Sequence, residues 1–158
     1  MAHFAEIQSS DNKILRVVVI NGSDVVANGG EYSSESETWV ANNIPNDITL
    51  ELDPYPATYW KQTSYNTRNN QHYTQDENGF PILSDDQTKA KRFRYASYLG
   101  TYNSAEDIFI DPKPFPSWTF NNTTKAWDPP TPMPNEVDEN GIIIVYNWNE
   151  ETQTWETI

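Results

Sequence analysis

One short pattern recurs in this chain: an aromatic residue followed by Asn, then a polar stretch, then a second aromatic residue seven positions after the first. The two close copies lie 28 residues apart, and a looser copy precedes them. The copies are Phe120-Asn121 with Trp127, Trp148-Asn149 with Trp155, and Tyr102-Asn103 with Phe109. Asn accepts hydrogen bonds from a turn backbone, and aromatic rings on paired strands stabilise each other. Each copy therefore predicts a tight β-hairpin, and several must pack together because an isolated hairpin is marginal in water.

The composition makes these rings the main source of a core. Ile, Val, Leu and Phe together number only 31 of 158 residues, and the net charge is −13, which lies at the compositional border of disorder. The 21 aromatic residues compensate, since each ring buries roughly 150–250 Å². We therefore expect a mainly β protein with antiparallel hairpins in a small sandwich or barrel-like arrangement.

The first third of the chain predicts a hairpin followed by less regular structure. Residues 4–21 give two strands around a polar turn, since residues 14–21 are dense in β-branched side chains. Residues 22–37 indicate a loop, with Ser34 or Ser36 capping a short helix that runs through Asn42. Residues 48–52 alternate between apolar and polar side chains, which predicts a further strand.

Proline and glycine mark the remaining boundaries. Residues 53–56, with sequence DPYP, suggest a division into an N-terminal β region, residues 1–55, and an aromatic-rich hairpin region, residues 56–158. Asn-Gly at positions 78–79 and 140–141 predicts two further hairpin turns. The proline-rich segments 111–116 and 129–134 must be extended straps, because proline cannot continue a helix.

Charge and residue usage exclude several functions. A charge of −13 argues against binding to nucleic acid or to an anionic membrane surface, because both require a basic face. The chain has no cysteine, and neither His3 nor His72 has metal-ligand or nucleophile spacing around it. We therefore expect no metal and no cofactor. No pair of carboxylates is marked out for acid–base chemistry, so we expect no enzymatic activity.

Four tryptophans are candidate binding residues. One interpretation is that they pack in the core that the aliphatic residues cannot fill. The other is that they form a stacking platform for sugar rings or for a partner's surface, because Trp offers a flat apolar face with a polar edge. The four are Trp118, Trp127, Trp148 and Trp155.

The one basic cluster, Lys89, Lys91, Arg92 and Arg94, is a second candidate. As a strand it would place Arg92 and Arg94 on one face and the intervening Phe93 on the other. Such a strand would either be half-buried with a solvated outer face or dock onto an acidic patch of a neighbouring subunit.

Several strings resemble small virion structural proteins of marine cyanophages. The resemblance covers the first 20 residues and most of residues 59–158, whereas residues 22–58 match poorly. Residues 95–100 contain less glycine than these proteins usually have before the segment KPFPSW. The strings are MAHFA at 1–5, WKQTSYN at 60–66, KPFPSW at 113–118 and YNWNEETQTW at 146–155. The resemblance implies a component of the phage particle, with the major capsid protein or other virion subunits as its partners.

Two functions follow from this resemblance. The first is a decoration or knob on the capsid exterior, anchored by residues 1–20 adding a strand to a neighbour's sheet. The second is a tail-fibre or adsorption accessory whose tryptophans contact host-surface glycan. Self-association into a homo-oligomer is compatible with both.

Overall fold

The computed structural model describes all 158 residues and is mainly β, with 34% strand and 14% helix. Several small antiparallel sheets form and none closes into a barrel, which confirms the predicted fold class. The chain divides into two compact units, Met1–Pro112 and Lys113–Ile158. None of its helices is long and apolar enough to span a bilayer.

The first unit contains eight strands, two α-helices and two short 3₁₀ helices. The strands are β1 (Ala2–Gln8), β2 (Ile14–Ile20), β3 (Thr58–Thr63), β4 (Thr67–Arg68), β5 (Gln71–Gln75), β6 (Pro81–Leu83), β7 (Thr101–Asn103) and β8 (Ile108–Ile110). The α-helices are α1 (Gly22–Ala27) and α2 (Ser34–Asn43), and the 3₁₀ helices cover Ile48–Leu50 and Gln87–Lys89. The second unit contains β9 (Thr119–Asn121), β10 (Ala126–Asp128), β11 (Tyr146–Asn149) and β12 (Thr154–Thr157).

The central strand of the first unit is β1, which pairs with β2 on one side and β3 on the other. The β1–β2 pair confirms the hairpin predicted for residues 4–21. Because successive side chains of a strand point to opposite faces, β1 contributes to two apolar clusters. Phe4 packs with Val25 and Val40 of the helices, whereas Ile7 packs with Tyr102 and Phe109 of the β7–β8 hairpin.

The sheet of β1, β2 and β3 bears on both the predicted anchor and the division of the chain. Both edges of β1 are occupied, whereas β2, which also belongs to the predicted anchor, lies at the edge of the sheet. The anchor predicted at residues 1–20 therefore stays a prediction. Since β3 (Thr58–Thr63) completes the sheet, the compact units divide at Pro112 and Lys113 rather than near residue 55.

The connection between β2 and β3 is more helical than predicted. The helix α2 ends at Asn43, close to the predicted end, but Ser33 caps it, because the Ser33 Oγ accepts a hydrogen bond from the Ser36 N–H at 3.0 Å. The helix α1 was not predicted. The strand predicted at residues 48–52 is wrong, because Asp47 caps a 3₁₀ turn there and leaves Ile48 exposed.

The three aromatic–Asn repeats all form the predicted hairpins. Their registers place Tyr102 opposite Phe109, Phe120 opposite Trp127 and Trp148 opposite Trp155. In each turn the Asn Oδ1 accepts hydrogen bonds from the backbone N–H groups two and three residues later. In each, the residue before the returning strand is left-handed; these residues are Asp107, Lys125 and Gln153, at φ 52°, 52° and 53°.

The two Asn-Gly segments also form the predicted turns. Gly79 and Gly141 adopt positive φ values of 83° and 77°, which glycine tolerates best. The carboxylates of Asp76 and Asp138 each accept two backbone N–H groups from their own turn. The proline-rich straps at 111–116 and 129–134 contain no helix, as predicted.

Candidate functional site

Three of the four candidate tryptophans form one cluster in the second unit. The Trp148 and Trp155 rings face each other across β11 and β12, with their centroids 5.2 Å apart. The Trp118 ring lies 6.1 Å from each of them. The fourth, Trp127, packs instead against Phe120 at 5.3 Å, because its register places it in the β9–β10 hairpin.

The half-exposed Glu150 carboxylate accepts hydrogen bonds from this cluster and from the segment before it. The Trp148 Nε1–H donates to Glu150 at 2.8 Å, and the Ser117 N–H and Oγ–H donate to the same carboxylate at 2.8 and 2.7 Å. These hydrogen bonds lower the pKa of Glu150, and the one from Trp148 has the largest effect. The buried Trp148 therefore has a structural role, since its ring is covered and its N–H is satisfied.

The other two rings remain open to one side and form a groove. Trp118 and Trp155 line a cavity of about 550 Å³, and the strap of residues 129–133 forms its other wall. The Trp155 Nε1–H donates to the Thr131 carbonyl oxygen at 2.8 Å, which holds the strap against the ring. Asp128, the charged residue of the lining, accepts a hydrogen bond from Asn121 at 2.7 Å. Flat apolar walls beside one carboxylate suit a ligand with an apolar face and hydroxyl groups, such as a sugar ring.

The basic cluster lies in the first unit and does not form the predicted strand. Residues 87–89 form a 3₁₀ turn, and Arg92 and Phe93 are left-handed at φ 56° and 67°, which a β-strand does not admit. The alternation of faces expected for Arg92 and Arg94 is therefore absent, and that prediction is wrong.

Both arginines of the cluster bind carboxylates of their own unit. The buried Arg92 guanidinium lies 2.9 Å from Glu37 and 2.8 Å from Asp107, and donates to the Gln62 carbonyl oxygen. Burial alone would lower the pKa of Arg92, but the two carboxylates outweigh it and raise that pKa. Arg94 pairs with Asp111. These two side chains therefore act inside the fold.

The two lysines of the cluster are the members that reach solvent. Lys89 and Lys91 are exposed at the rim of a polar cleft of about 550 Å³ that His72 also lines. The Lys91 ammonium lies 6.0 Å from the Tyr32 ring centroid, and Lys89 lies 3.8 Å from Asp86. Docking of this cluster onto a partner stays a prediction, and Lys89 and Lys91 are its members that solvent reaches most.

The sequence interpretation did not include one surface, an exposed aliphatic run in the second unit. Residues 142–145, with sequence IIIV, follow the second Asn-Gly turn and pair through the single bridge Val137–Ile143. The available signal was the preceding segment, which offers only Val137 as an apolar partner between Glu136 and Asp138. Opposite so short and acidic a segment, three of the four aliphatic residues, Ile142, Ile143 and Val145, are left exposed.

The comparisons with known proteins add no relative: no protein-family model, no curated protein and no solved structure matches this chain.

Proposed function

We propose that this chain is a non-enzymatic structural component of a bacteriophage virion, a decoration or knob protein on the outside of the capsid. Its partners are then the major capsid protein or other virion subunits. The four strings that resemble small cyanophage virion proteins supply the class of particle.

The observation that carries the proposal is the exposed aliphatic run at residues 142–145. A contiguous apolar patch on an otherwise acidic, well-solvated surface is typical of a protein–protein docking site. A decoration protein needs such a face on one side and solvated charge on the other. We place the anchor of this proposal at the aliphatic run of the second unit, and the edge strand β2 within residues 1–20 is the alternative anchor.

Mass spectrometry of purified particles tests this location. Capsids that lack tails are compared with complete particles and with isolated tails, and the copy number of this chain is measured relative to the major capsid protein. We expect the chain in tailless capsids, in a fixed ratio to the capsid protein. Its absence from tailless capsids would contradict the proposal.

The second candidate is a tail-fibre or adsorption accessory that binds host-surface glycan. The groove of Trp118 and Trp155 favours it, because aromatic faces beside a carboxylate recognise sugar rings. A glycan array should then show selective binding that Trp155→Ala abolishes, while Trp127→Ala, a change to a tryptophan outside the groove, retains it. Near-ultraviolet circular dichroism checks that both variants fold. An array without any selective signal would exclude this candidate.

A further inference from the structure

The groove beside Trp118 and Trp155 lies at the open end of the β9–β10 hairpin. Asp128 is the last residue of β10 and pairs with Thr119, which directly follows Trp118. The register of the hairpin therefore brings the Asp128 carboxylate into the same groove as the Trp118 ring. The chain then enters the proline-rich strap, which the Trp155 Nε1–H holds through the Thr131 carbonyl oxygen at 2.8 Å. Strand pairing and this hydrogen bond thus fix the walls of the groove before a ligand binds.

The side chains of the groove offer no free hydrogen-bond donor. The indole N–H of Trp155 is used on Thr131, and that of Trp118 is buried. Three of the lining residues are prolines, which have no backbone N–H. Asp128 adds only acceptors: its Oδ2 accepts from Asn121 at 2.7 Å, whereas its Oδ1 accepts no hydrogen bond within the chain. A ligand that binds here must therefore supply the donors.

The charge around the groove favours a cationic ligand. Residues 126–158, which supply every lining residue except Trp118, contain seven carboxylate side chains and no Lys, Arg or His. The two lysines of this unit, Lys113 and Lys125, do not line the groove. Anionic groups such as a uronate, a sulfate or a phosphate are therefore repelled. An ammonium group is attracted both by carboxylates and by tryptophan rings, and it carries only hydrogen-bond donors.

The shape of the groove favours a ring over a linear cation. Two indole rings and a proline wall present broad apolar surfaces, on which the apolar face of a pyranose ring can stack. A flexible Lys side chain has no such face. The cavity of about 550 Å³ lies within the range of pockets that hold small-molecule ligands.

We infer that this groove binds a glycan whose sugar carries a free amino group, protonated to an ammonium, and that it rejects acidic glycans. The sugar ring lies against Trp118 and Trp155, and its ammonium donates to the Asp128 Oδ1 in a charge-assisted hydrogen bond. The inference rests on the second candidate function, because it names the class of sugar that this glycan-binding site selects.

Three β-linked trisaccharides with the same ring stereochemistry test this selectivity on the isolated full-length chain. They are the trimers of glucosamine, N-acetylglucosamine and glucuronic acid. Titration calorimetry measures their binding at about pH 6, where the sugar amine is protonated. We expect the glucosamine trimer to bind about tenfold more tightly than the N-acetylated trimer, as one charge-assisted hydrogen bond supplies. The glucuronic acid trimer should not bind, and the preference for glucosamine should shrink as salt is added.

Two variants and one control locate the selectivity. Asp128→Asn removes the charge but keeps an oxygen for Asn121, so it should reduce glucosamine binding to the level of the N-acetylated trimer and leave the latter unchanged. Trp155→Ala should abolish binding of both trimers. The matched control is Glu151→Gln, which removes one charge at an exposed position of the same unit and should keep the preference. Thermal unfolding checks that each variant is folded.

Equal binding of the glucosamine and N-acetylated trimers, tighter binding of the glucuronic acid trimer, or equal effects of Asp128→Asn and Glu151→Gln would each overturn this inference alone. A capped tri-lysine peptide serves as a fourth probe. If it binds as tightly as the glucosamine trimer and Asp128→Asn weakens both, the ligand is a protein cation, which also overturns the inference. Absence of binding by all three trimers would contradict the second candidate function itself, and the inference with it.

Discussion

At the scale of single residues, Arg92 joins three elements of the first unit. Its guanidinium contacts Glu37 of α2, Asp107 in the β7–β8 turn and the Gln62 carbonyl oxygen of β3. Glu37 is itself buried and is also bound by Lys61 at 2.7 Å. Removal of one member of a buried ion pair leaves the other charge buried without a partner. This loss destabilises a protein more than replacement of both members by apolar residues does.

We therefore predict that Arg92→Gln destabilises the protein by about 3 kcal/mol, at the lower end of the range for such losses because Lys61 still compensates Glu37. Urea unfolding followed by tryptophan fluorescence measures the change. The control is Lys89→Gln, an exposed member of the same basic cluster, which should shift stability by less than about 0.5 kcal/mol. Equal effects in the two variants would contradict an internal structural role for Arg92.

Tyr102 gives the first unit a dependence on alkaline pH. Burial, and then the hydrogen bond that its hydroxyl donates to Asp107, raise the pKa of Tyr102 far above its ordinary value near 10. Because the folded state holds this proton more tightly than the unfolded chain does, the stabilisation is complete below the unfolded-state pKa. It is lost as the pH rises above about 10, by up to about 1.4 kcal/mol for each pH unit.

We predict that Tyr102→Phe reduces the alkaline loss of stability, because the variant has no proton to lose at this position. The free energy of unfolding is measured in urea at several pH values on either side of the ordinary tyrosine pKa. The exposed Tyr98 supplies the control, and Tyr98→Phe should keep the slope of the parent protein. A slope unchanged by Tyr102→Phe would refute the assignment.

At the scale of elements, the aromatic–Asn hairpins depend on one side chain in each turn. The Asn121 Oδ1 accepts the N–H groups of Thr123 and Thr124, at 2.8 and 3.2 Å. We predict that Asn121→Ala destabilises the β9–β10 hairpin by about 1–2 kcal/mol, the net value of one or two exchanged hydrogen bonds. The neighbouring Asn122→Ala should be nearly neutral. Hydrogen exchange at residues 126–128 measures the local change, and equal exchange rates in the two variants would show that the Asn121 contacts do not hold the turn.

These hairpins could be predicted from the sequence because their chemistry is local. Asn at the start of the turn and the two facing rings all lie within eight residues. The segment around Arg92 could not be predicted in this way. Its alternation of charged and aromatic residues is typical of a strand, but pairing with Glu37 and Asp107, which are distant in sequence, holds Arg92 in a left-handed conformation. Tertiary contacts overrode the local pattern.

The candidate site was predictable to a similar extent. The sequence identified the tryptophans, and the 28-residue repeat correctly placed Trp148 opposite Trp155. It could not show that Trp148 is covered while Trp155 stays open, because that difference arises from Trp118 and the proline strap. Trp127 carries the same motif as Trp155 but lies outside the groove.

At the scale of the whole molecule, the division of the chain depends on one long-range pairing. The strand β3 pairs with β1 although 49 residues lie between them, so Thr58–Thr63 belongs to the first unit. The residues at 53–56 break the local structure, as their prolines predict, yet the chain afterwards returns to the same sheet. Local breaking signals mark the ends of elements, but they do not reveal which distant strand completes a sheet.

The charge of the whole molecule sets its response to salt. The chain has 23 acidic and 10 basic side chains, and residues 126–158 have no cation at all. Self-repulsion among exposed like charges destabilises a compact state and is screened by salt, with a Debye length of roughly 10 Å at 0.1 M. The ion pairs of Glu6 and Glu37 are largely buried and are screened much less. When salt is added, the stability gained by screening repulsion among the exposed carboxylates should therefore exceed the stability lost by screening the ion pairs.

We predict that the Tm rises by about 3 °C between roughly 0.01 and 0.2 M NaCl, which corresponds to about 1 kcal/mol for a chain of this length. The double variant Glu139→Lys with Glu151→Lys reduces the net negative charge by four at two exposed positions and should show a smaller rise. Differential scanning calorimetry at constant pH measures both. A Tm that falls with salt in the parent protein would show that attraction between surface charges, rather than repulsion among the carboxylates, dominates the electrostatic stability of this acidic chain.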